Sequence, residues 1–286
     1  MKVEQKVVIV AGATGGIGKS TCALLAREGA SIVAVAGDPK KLPGLKRELR
    51  EYEDRIVYLS LDLRRYHDWG MVAETALRAF GRIDVLINCV GMIVPGGFDT
   101  LSPSEVELVV NTNVLNVMYG VRYVLPVMKA QGRGHLITLG SLGSIVPMPF
   151  ESLYCATKFA VRGFCLSLRE ELRGTGIEVS LVSPGPVETQ MLRRESKSDR
   201  STMAFVEQPL DPGRVAEAIL RTIRKPSTDT TLPVQSRAFA LLMDAFPALF
   251  TAVYPLLNFI GALRLKSYRK NLAPLAATAS MEPVYE

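Results

Sequence analysis

Histidine is nearly absent from this 286-residue chain: His67 and His135 are the only two. They stand far apart, with no HxxxH or HExxH spacing, which argues against a zinc enzyme and against a histidine-based triad. Cysteine is scarce as well, and Cys22, Cys89, Cys155 and Cys165 form no CxxC pair. They read as small buried hydrophobes in a reducing compartment, not as a disulfide framework or metal site. No metal is expected. Lys/Arg-rich runs with interleaved aromatics are missing too. The net charge of +6 therefore points to an anionic cofactor or membrane surface rather than to nucleic acid. The stretch before Val7 is too short and polar for a secretory signal. The expected location is the cytoplasm or the cytoplasmic face of a membrane.

What the chain has is apolar runs of strand length alternating with helical patterns, the mark of a parallel sheet covered on both faces. Strands are expected over residues 6–11, 31–36, 55–61, 83–88, 135–140 and 178–183, with a short seventh near 230–235. Helices are expected over 16–29, 40–52, 68–80, 102–129, 152–174 and 211–224, the last with Asp211 as N-cap and Pro212 at its first position. The fold class is α/β, a Rossmann-like doubly wound parallel sheet with an apolar helical appendage. Residues 190–210 are polar, charged and without period, and read as a lid over the site. Residues 1–235 form the expected dinucleotide-binding catalytic domain and 236–286 the appendage.

Two motifs carry chemistry. The first strand runs into Gly12-Ala13-Thr14-Gly15-Gly16-Ile17-Gly18. Glycines at such a strand–helix junction permit a tight turn and close approach of backbone to a pyrophosphate. Further along, Tyr154 precedes Lys158 by four residues and follows Ser141 by thirteen. Positions i and i+4 share a helix face, so phenol and ammonium can enter one site. A free tyrosine has a pKa of about 10, and a nearby cation is expected to pull it toward the working range.

With these residues the chain resembles the short-chain dehydrogenases/reductases. The glycine turn is similar to that family's TGxxxGIG, with Ala11 where Thr is usual. Asn88-Cys89-Val90-Gly91 resembles its NNAG, Asn113-Val114-Leu115 its catalytic-Asn segment, and Tyr154-Cys155-Ala156-Thr157-Lys158 its YxxxK. Pro184-Gly185-Pro186-Val187-Glu188-Thr189 is similar to its PGxVxT. The resemblance spans roughly residues 5 to 235. It implies Tyr154 as proton donor or acceptor during hydride transfer. Lys158 would lower the tyrosine pKa and bind the nicotinamide ribose. Ser141 would position the substrate oxygen, with Ser144 as its rival. Asn113, preferred over Asn111, would hold a water in a proton relay. The same matching gives Gly12, Thr14, Gly15, Gly16, Ile17 and Gly18 to the pyrophosphate turn. It gives Asp62 and Leu63 to the adenine, and Asn88 and Gly91 to the adenosine ribose. Pro184, Gly185, Val187 and Thr189 go to the nicotinamide side. The acidic selector of NAD users falls on Ala36, and Gly37 takes the position often basic in NADP users. Asp38, Lys40 and Lys41 follow. The missing acid tilts the expectation to NADP(H) over NAD(H).

From Ala245 to Leu263 the chain carries no charge, and Arg264, Lys266, Arg269 and Lys270 follow at once. Pro247 and Pro255 argue against one straight span, so two or three short interfacial helices are expected, with the basic cluster on anionic headgroups. A homodimer interface or a cover on the substrate pocket is the competing reading, and a homo-oligomer is expected. Apolar walls, with Pro147, Met148, Pro149 and Phe150 just before Tyr154, suggest a lipophilic substrate such as a steroid, retinoid, long-chain keto-lipid or sphingoid precursor. The expected function is an NAD(P)(H)-dependent carbonyl/alcohol oxidoreductase. The alternatives are a non-catalytic dinucleotide sensor and a membrane-anchored scaffold.

Overall fold

The computed structural model describes residues 3–276; the last ten residues of the expected appendage lie outside the described set. Seven parallel strands form one sheet in the order β3-β2-β1-β4-β5-β6-β7. They are β1 (Val7–Ala11), β2 (Ser31–Ala36), β3 (Ile56–Ser60), β4 (Val85–Asn88), β5 (Gly134–Leu139), β6 (Ile177–Pro184) and β7 (Asp229–Leu232). Every residue of β1 is buried, which explains its unbroken apolar run: a central parallel strand is covered on both faces. Alternate side chains divide between two cores. Val8 and Val10 meet one face, covered by α1 (Gly16–Arg27) and α8 (Pro212–Arg224). Val7, Ile9 and Ala11 meet the other, with Trp69 of α3 (Tyr66–Phe80), Val121 of α5 (Asn116–Gln131) and Val161 of α6 (Ser152–Glu171).

Local chemistry sets the helix starts. Asp211 Oδ1 accepts from Gly213 N at 2.7 Å and Pro212 opens α8, as expected. Ser102 forms a reciprocal capping box with Glu105 at the start of α4 (Pro103–Val110). The single helix expected over 102–129 is instead interrupted. Residues Asn111–Leu115 form a π turn between α4 and α5, a distortion that recurs at functional sites. At the seventh strand, pairing ends at Leu232 and Val234 opens α9 (Val234–Ala245). The remaining helices are α2 (Leu42–Glu48), α7 (Gln190–Glu195) and α10 (Pro247–Ala276).

Two departures concern the C-terminal half. Residues 190–210 are not a structureless lid: they hold α7 and a turn over Met203–Phe205. Leu192, Ala204 and Phe205 are buried with Leu265 of α10. And α10 runs straight through Pro255 rather than breaking into short helices. Proline removes one backbone donor, but the packed side of α10 offsets that loss. Phe250 joins Ile145, Val146 and Met243 in a separate apolar cluster. Gly261 lies so close to Thr202 that a Cβ there would stand 2.2 Å from the Thr202 carbonyl oxygen.

Candidate active site

The site opens at the carboxyl ends of the strands, beside the point between β1 and β4 where strand order reverses. Ligands collect there in open α/β sheets. A cavity of about 330 Å³ receives Gly16, Ile17 and Gly18 from the first turn of α1, Gly91 from the β4 loop and Ser141 from the end of β5. Tyr154 and Lys158 of α6 and Gly185, Val187 and Thr189 after β6 complete the ring.

The glycine turn is sterically compulsory. Gly12 has φ +79°, and a Cβ on Gly18 would stand 2.1 Å from Gly12 O, inside the backbone itself. A Cβ on Gly16 would stand 2.7 Å from Thr189 Cγ2, across the cavity mouth. Helix α1 begins at Gly15 with no side-chain cap and no acidic residue in its first turn. Its leading N–H groups and the positive end of its dipole therefore face the cavity, which fits a pyrophosphate.

Ser141, Tyr154 and Lys158 converge as their spacing suggested. Ser141 and Tyr154 share the cavity wall, and the Ser141 hydroxyl accepts from Gly143 N at 3.0 Å. Ser144, the rival, is buried and donates to Ser141 O at 2.6 Å, away from the phenol. Lys158 Nζ lies 5.7 Å from the centroid of the Tyr154 ring and donates to Leu139 O at 2.9 Å. Burial lowers the Lys158 pKa to about 8. The tyrosine departs from expectation. Burial pushes its phenol above the usual value, the nearby Ser141 hydroxyl opposes this, and Glu195 and Glu151 add to the rise. In the free protein, loss of water outweighs the neighbouring cation.

Asn113 sits in the π turn, buried behind the cavity. Its Oδ1 accepts from Met92 N at 2.8 Å, and its Nδ2 donates to Met92 O and to Thr157 Oγ1. A Cβ at Gly91 would lie 3.6 Å from Lys158 Nζ and 3.8 Å from Asn113 Oδ1, so a residue without a side chain separates the two. The amide thus braces the loop that carries Gly91.

The remaining expected residues divide. Gly15, Pro184 and Gly185 line the cavity, whereas Gly12, Thr14, Asp62, Leu63 and Asn88 are not among its walls. Asn88 Oδ1 accepts from Val90 N and Asn116 Nδ2. The Asp62 carboxylate receives two hydrogen bonds from the Arg64 guanidinium, which hold its pKa below the usual range. Leu63 turns its side chain into the core beside Trp69. At the β2 end, Asp38 caps Lys40 N, and Lys41 Nζ reaches Gln190 Oε1 at 2.9 Å.

Several cavity residues escaped sequence reasoning. Glu195 of α7, Glu207 and, from the appendage, Ser236, Phe239 and Leu257 all line the cavity. The aperiodic charge of 190–210 was the available signal for the first two. The appendage also holds the lid: Tyr268 donates to both oxygens of Glu188, and Arg269 bonds Ser196 O and Asp199.

Residues 6–200 match the family model described as short chain dehydrogenase. An uncharacterized oxidoreductase of Staphylococcus saprophyticus is 32% identical over 228 residues, covering 78% of this chain and 92% of its own. The uncharacterized oxidoreductase YxnA of Bacillus subtilis is 30% identical over 252 residues, covering 87% and 71%. Among solved structures, a short chain dehydrogenase/reductase from Burkholderia phymatum in complex with NAD superposes with a TM-score of 0.81 at 22% identity, covering 87% of this chain and 96% of its own. ElxO with NADP bound superposes at 0.73 and 22% identity, covering 80% and 97%.

Proposed function

This chain belongs to the short-chain dehydrogenase family and is an NAD(P)-dependent oxidoreductase, and from that premise we propose that it interconverts a carbonyl and a secondary alcohol on a lipophilic substrate. The observation that carries this reading is the convergence of Ser141, Tyr154 and Lys158 on a cavity whose outer wall is Ile93, Leu142, Val146, Phe239 and Leu257.

The nicotinamide cofactor, when bound, supplies or accepts the hydride. The chain supplies geometry and protons. The first turn of α1 holds the pyrophosphate through its N–H groups. Ser141 hydrogen-bonds the substrate oxygen and orients it. In the reductive direction Tyr154 gives its proton to that oxygen as negative charge develops there. Lys158 stabilises the resulting phenolate and binds the nicotinamide ribose. Asn113 fixes the loop beside Lys158 and anchors the relay that returns the proton.

NADP(H) is favoured over NAD(H). Ala36 offers no carboxylate to a ribose 2′-hydroxyl, and Asp38 is engaged in capping Lys40 N. Titrating NADPH and NADH separately and following nicotinamide fluorescence tests the site and the preference. NADPH is expected to bind at least ~10-fold more tightly, since charge-assisted hydrogen bonds to a phosphate contribute on that scale. Absence of binding by both cofactors, in folded protein, would remove the enzymatic reading.

We further propose that the described part of the appendage, residues 236–276, completes the cavity of the preceding domain and lies on an anionic membrane surface. On the outer side of α10, Leu249, Leu256, Phe259 and Leu263 form one exposed stripe, with Leu256 62% and Phe259 61% exposed. Lys266 and Lys270 continue that side in the sequence. Residues Pro247–Leu272 are long and apolar enough to cross a membrane. The inner side is committed to the lid and cavity, so the helix lies in the interface. Leu256→Glu with Phe259→Glu is expected to abolish cosedimentation with phosphatidylserine-containing vesicles and to keep NADPH binding. Wild-type protein that ignores such vesicles would end this reading. A dimer that the double variant dissociates would assign the stripe to a second copy.

A further inference from the structure

Next to Tyr154 lies a pair of acids for which the hydride-transfer mechanism has no use. Glu151, at the N-terminus of α6, is only 2% exposed, and both of its carboxylate oxygens lack a hydrogen-bond partner. Ser201 faces it, fully buried, and the Ser201 hydroxyl is left unpaired as well. Glu195, at the end of α7 and 8% exposed, lines the cavity. The two acids repel each other, and both raise the Tyr154 phenol, with Glu195 the stronger of the two. Glu195 and Tyr154 line the same cavity. From a separate segment, Glu207 brings a further carboxyl group to the same cavity. Its Oε1 accepts from Ser236, and its buried Oε2 has no partner.

Buried carboxylates elsewhere in this fold are paired. Asp84 is bridged to Arg82 and accepts from Val7 N, and Asp229 accepts from Ser183 and faces Arg162. Burial raises both acids, Glu151 to about 7 and Glu195 well above the carboxylate range, because a buried carboxylate without a partner costs several kcal/mol; a cation placed between them would restore the charged form. The cations that line the cavity are Arg194 and Lys158, the latter held by Leu139 O; outside it, Arg200 lies over the Phe150 ring at 4.9 Å. The other titratable neighbours are Tyr154 and Cys155 of α6. Ile93, Val146, Phe239 and Leu257 supply apolar wall in the same cavity.

We propose that Glu195, backed by Glu151, receives an ammonium group of the substrate, which makes the substrate class a lipophilic carbonyl compound, or the matching alcohol, bearing an amine near the reacting carbon. This rests on the reading of the cavity as the substrate site and adds the chemistry of the substrate's polar end. The ammonium supplies the donors that the acid pair lacks, and its hydrocarbon portion lies along Ile93, Phe239 and Leu257.

The test is a binding measurement that needs no turnover. NADPH-loaded wild-type protein is titrated calorimetrically with octylamine and with octan-1-ol, matched in chain length. Octylamine is expected to bind at one site, at least ~10-fold more tightly, as hydrogen bonds to charged groups require. Glu195→Gln is expected to bring the ratio of the two affinities close to one, and Glu151→Gln to reduce it. Equal affinities in the wild type overturn the proposal, as does a preference for the amine that survives in Glu195→Gln. The wild-type comparison decides by itself if a variant fails to fold. Amine binding without turnover of any carbonyl would instead count against the oxidoreductase assignment of the cavity and leave the amine site standing.

Discussion

Replacing Tyr154 by phenylalanine is expected to abolish turnover while leaving cofactor binding within about twofold of wild type. The substitution removes one oxygen from a buried side chain and keeps the ring over which Lys158 Nζ sits at 5.7 Å. Packing against Gly143, whose added Cβ would lie 3.4 Å from the ring edge, is unchanged. What disappears is the proton that must reach the substrate oxygen as hydride arrives. General acid catalysis contributes roughly 10²–10⁴-fold, and kcat should fall by at least ~10² with the NADPH dissociation constant preserved. The free-protein electrostatics sharpen the prediction. Burial, Glu195 and Glu151 hold the phenol protonated, so in the reductive direction the resting residue is the proton donor the reaction calls for. Unchanged turnover in Tyr154→Phe, measured with a carbonyl the wild type reduces, would overturn the assignment of the acid.

The phenol and its lysine were legible in the sequence because their relation is local. Four residues on one helix fix their shared face whatever the rest of the chain does. The glycine turn was legible for a similar reason: Gly18 answers to the backbone of Gly12 within the same turn, and Gly12 to its own positive φ. The acid pair was not. Glu151 and Glu195 belong to different helices and interact only in the folded chain, and a polar stretch without period looks the same whether it is solvated or buried. The π turn at Asn113 left no propensity signal, since none of its residues is a helix breaker. Pro255 misled in the opposite sense. The rule that proline breaks a helix is a statement about local cost, and the packed side of α10 overrides it.

That same packing makes the C-terminal helices far more than a removable anchor. Truncation after Gln235 is expected to cost the protein its activity and most of its stability. The deletion takes Phe239, Ala240 and Leu257 out of the cavity wall. It also removes Met243 and Phe250 from the cluster that buries Ile145 and Val146. Those two residues end the short loop that begins at Ser141, so the loop that positions the substrate oxygen loses its cover. The lid loses its supports as well: the Tyr268 hydroxyl on Glu188, Arg269 on Ser196 and Asp199, and the Asn258 acceptor for Thr202. Each large apolar side chain returned to water costs roughly 1.5–3 kcal/mol. Several at once approach the whole of a marginal stability of about 5–15 kcal/mol. The expected result is a truncated protein that is insoluble or melts at least ~10 °C lower, with turnover below ~1% of wild type, as scaled from the stability dependence of Tm. Leu256→Glu with Phe259→Glu, which alters the exposed stripe alone, should keep the wild-type melting temperature. A truncated protein that reduced carbonyls at the wild-type rate would mean that α9 and α10 only dock beside the cavity. Loss in the truncation combined with retention in the double variant would instead establish two roles for one helix pair: the inner side completes the site, and the outer side meets the surface from which a lipophilic substrate arrives.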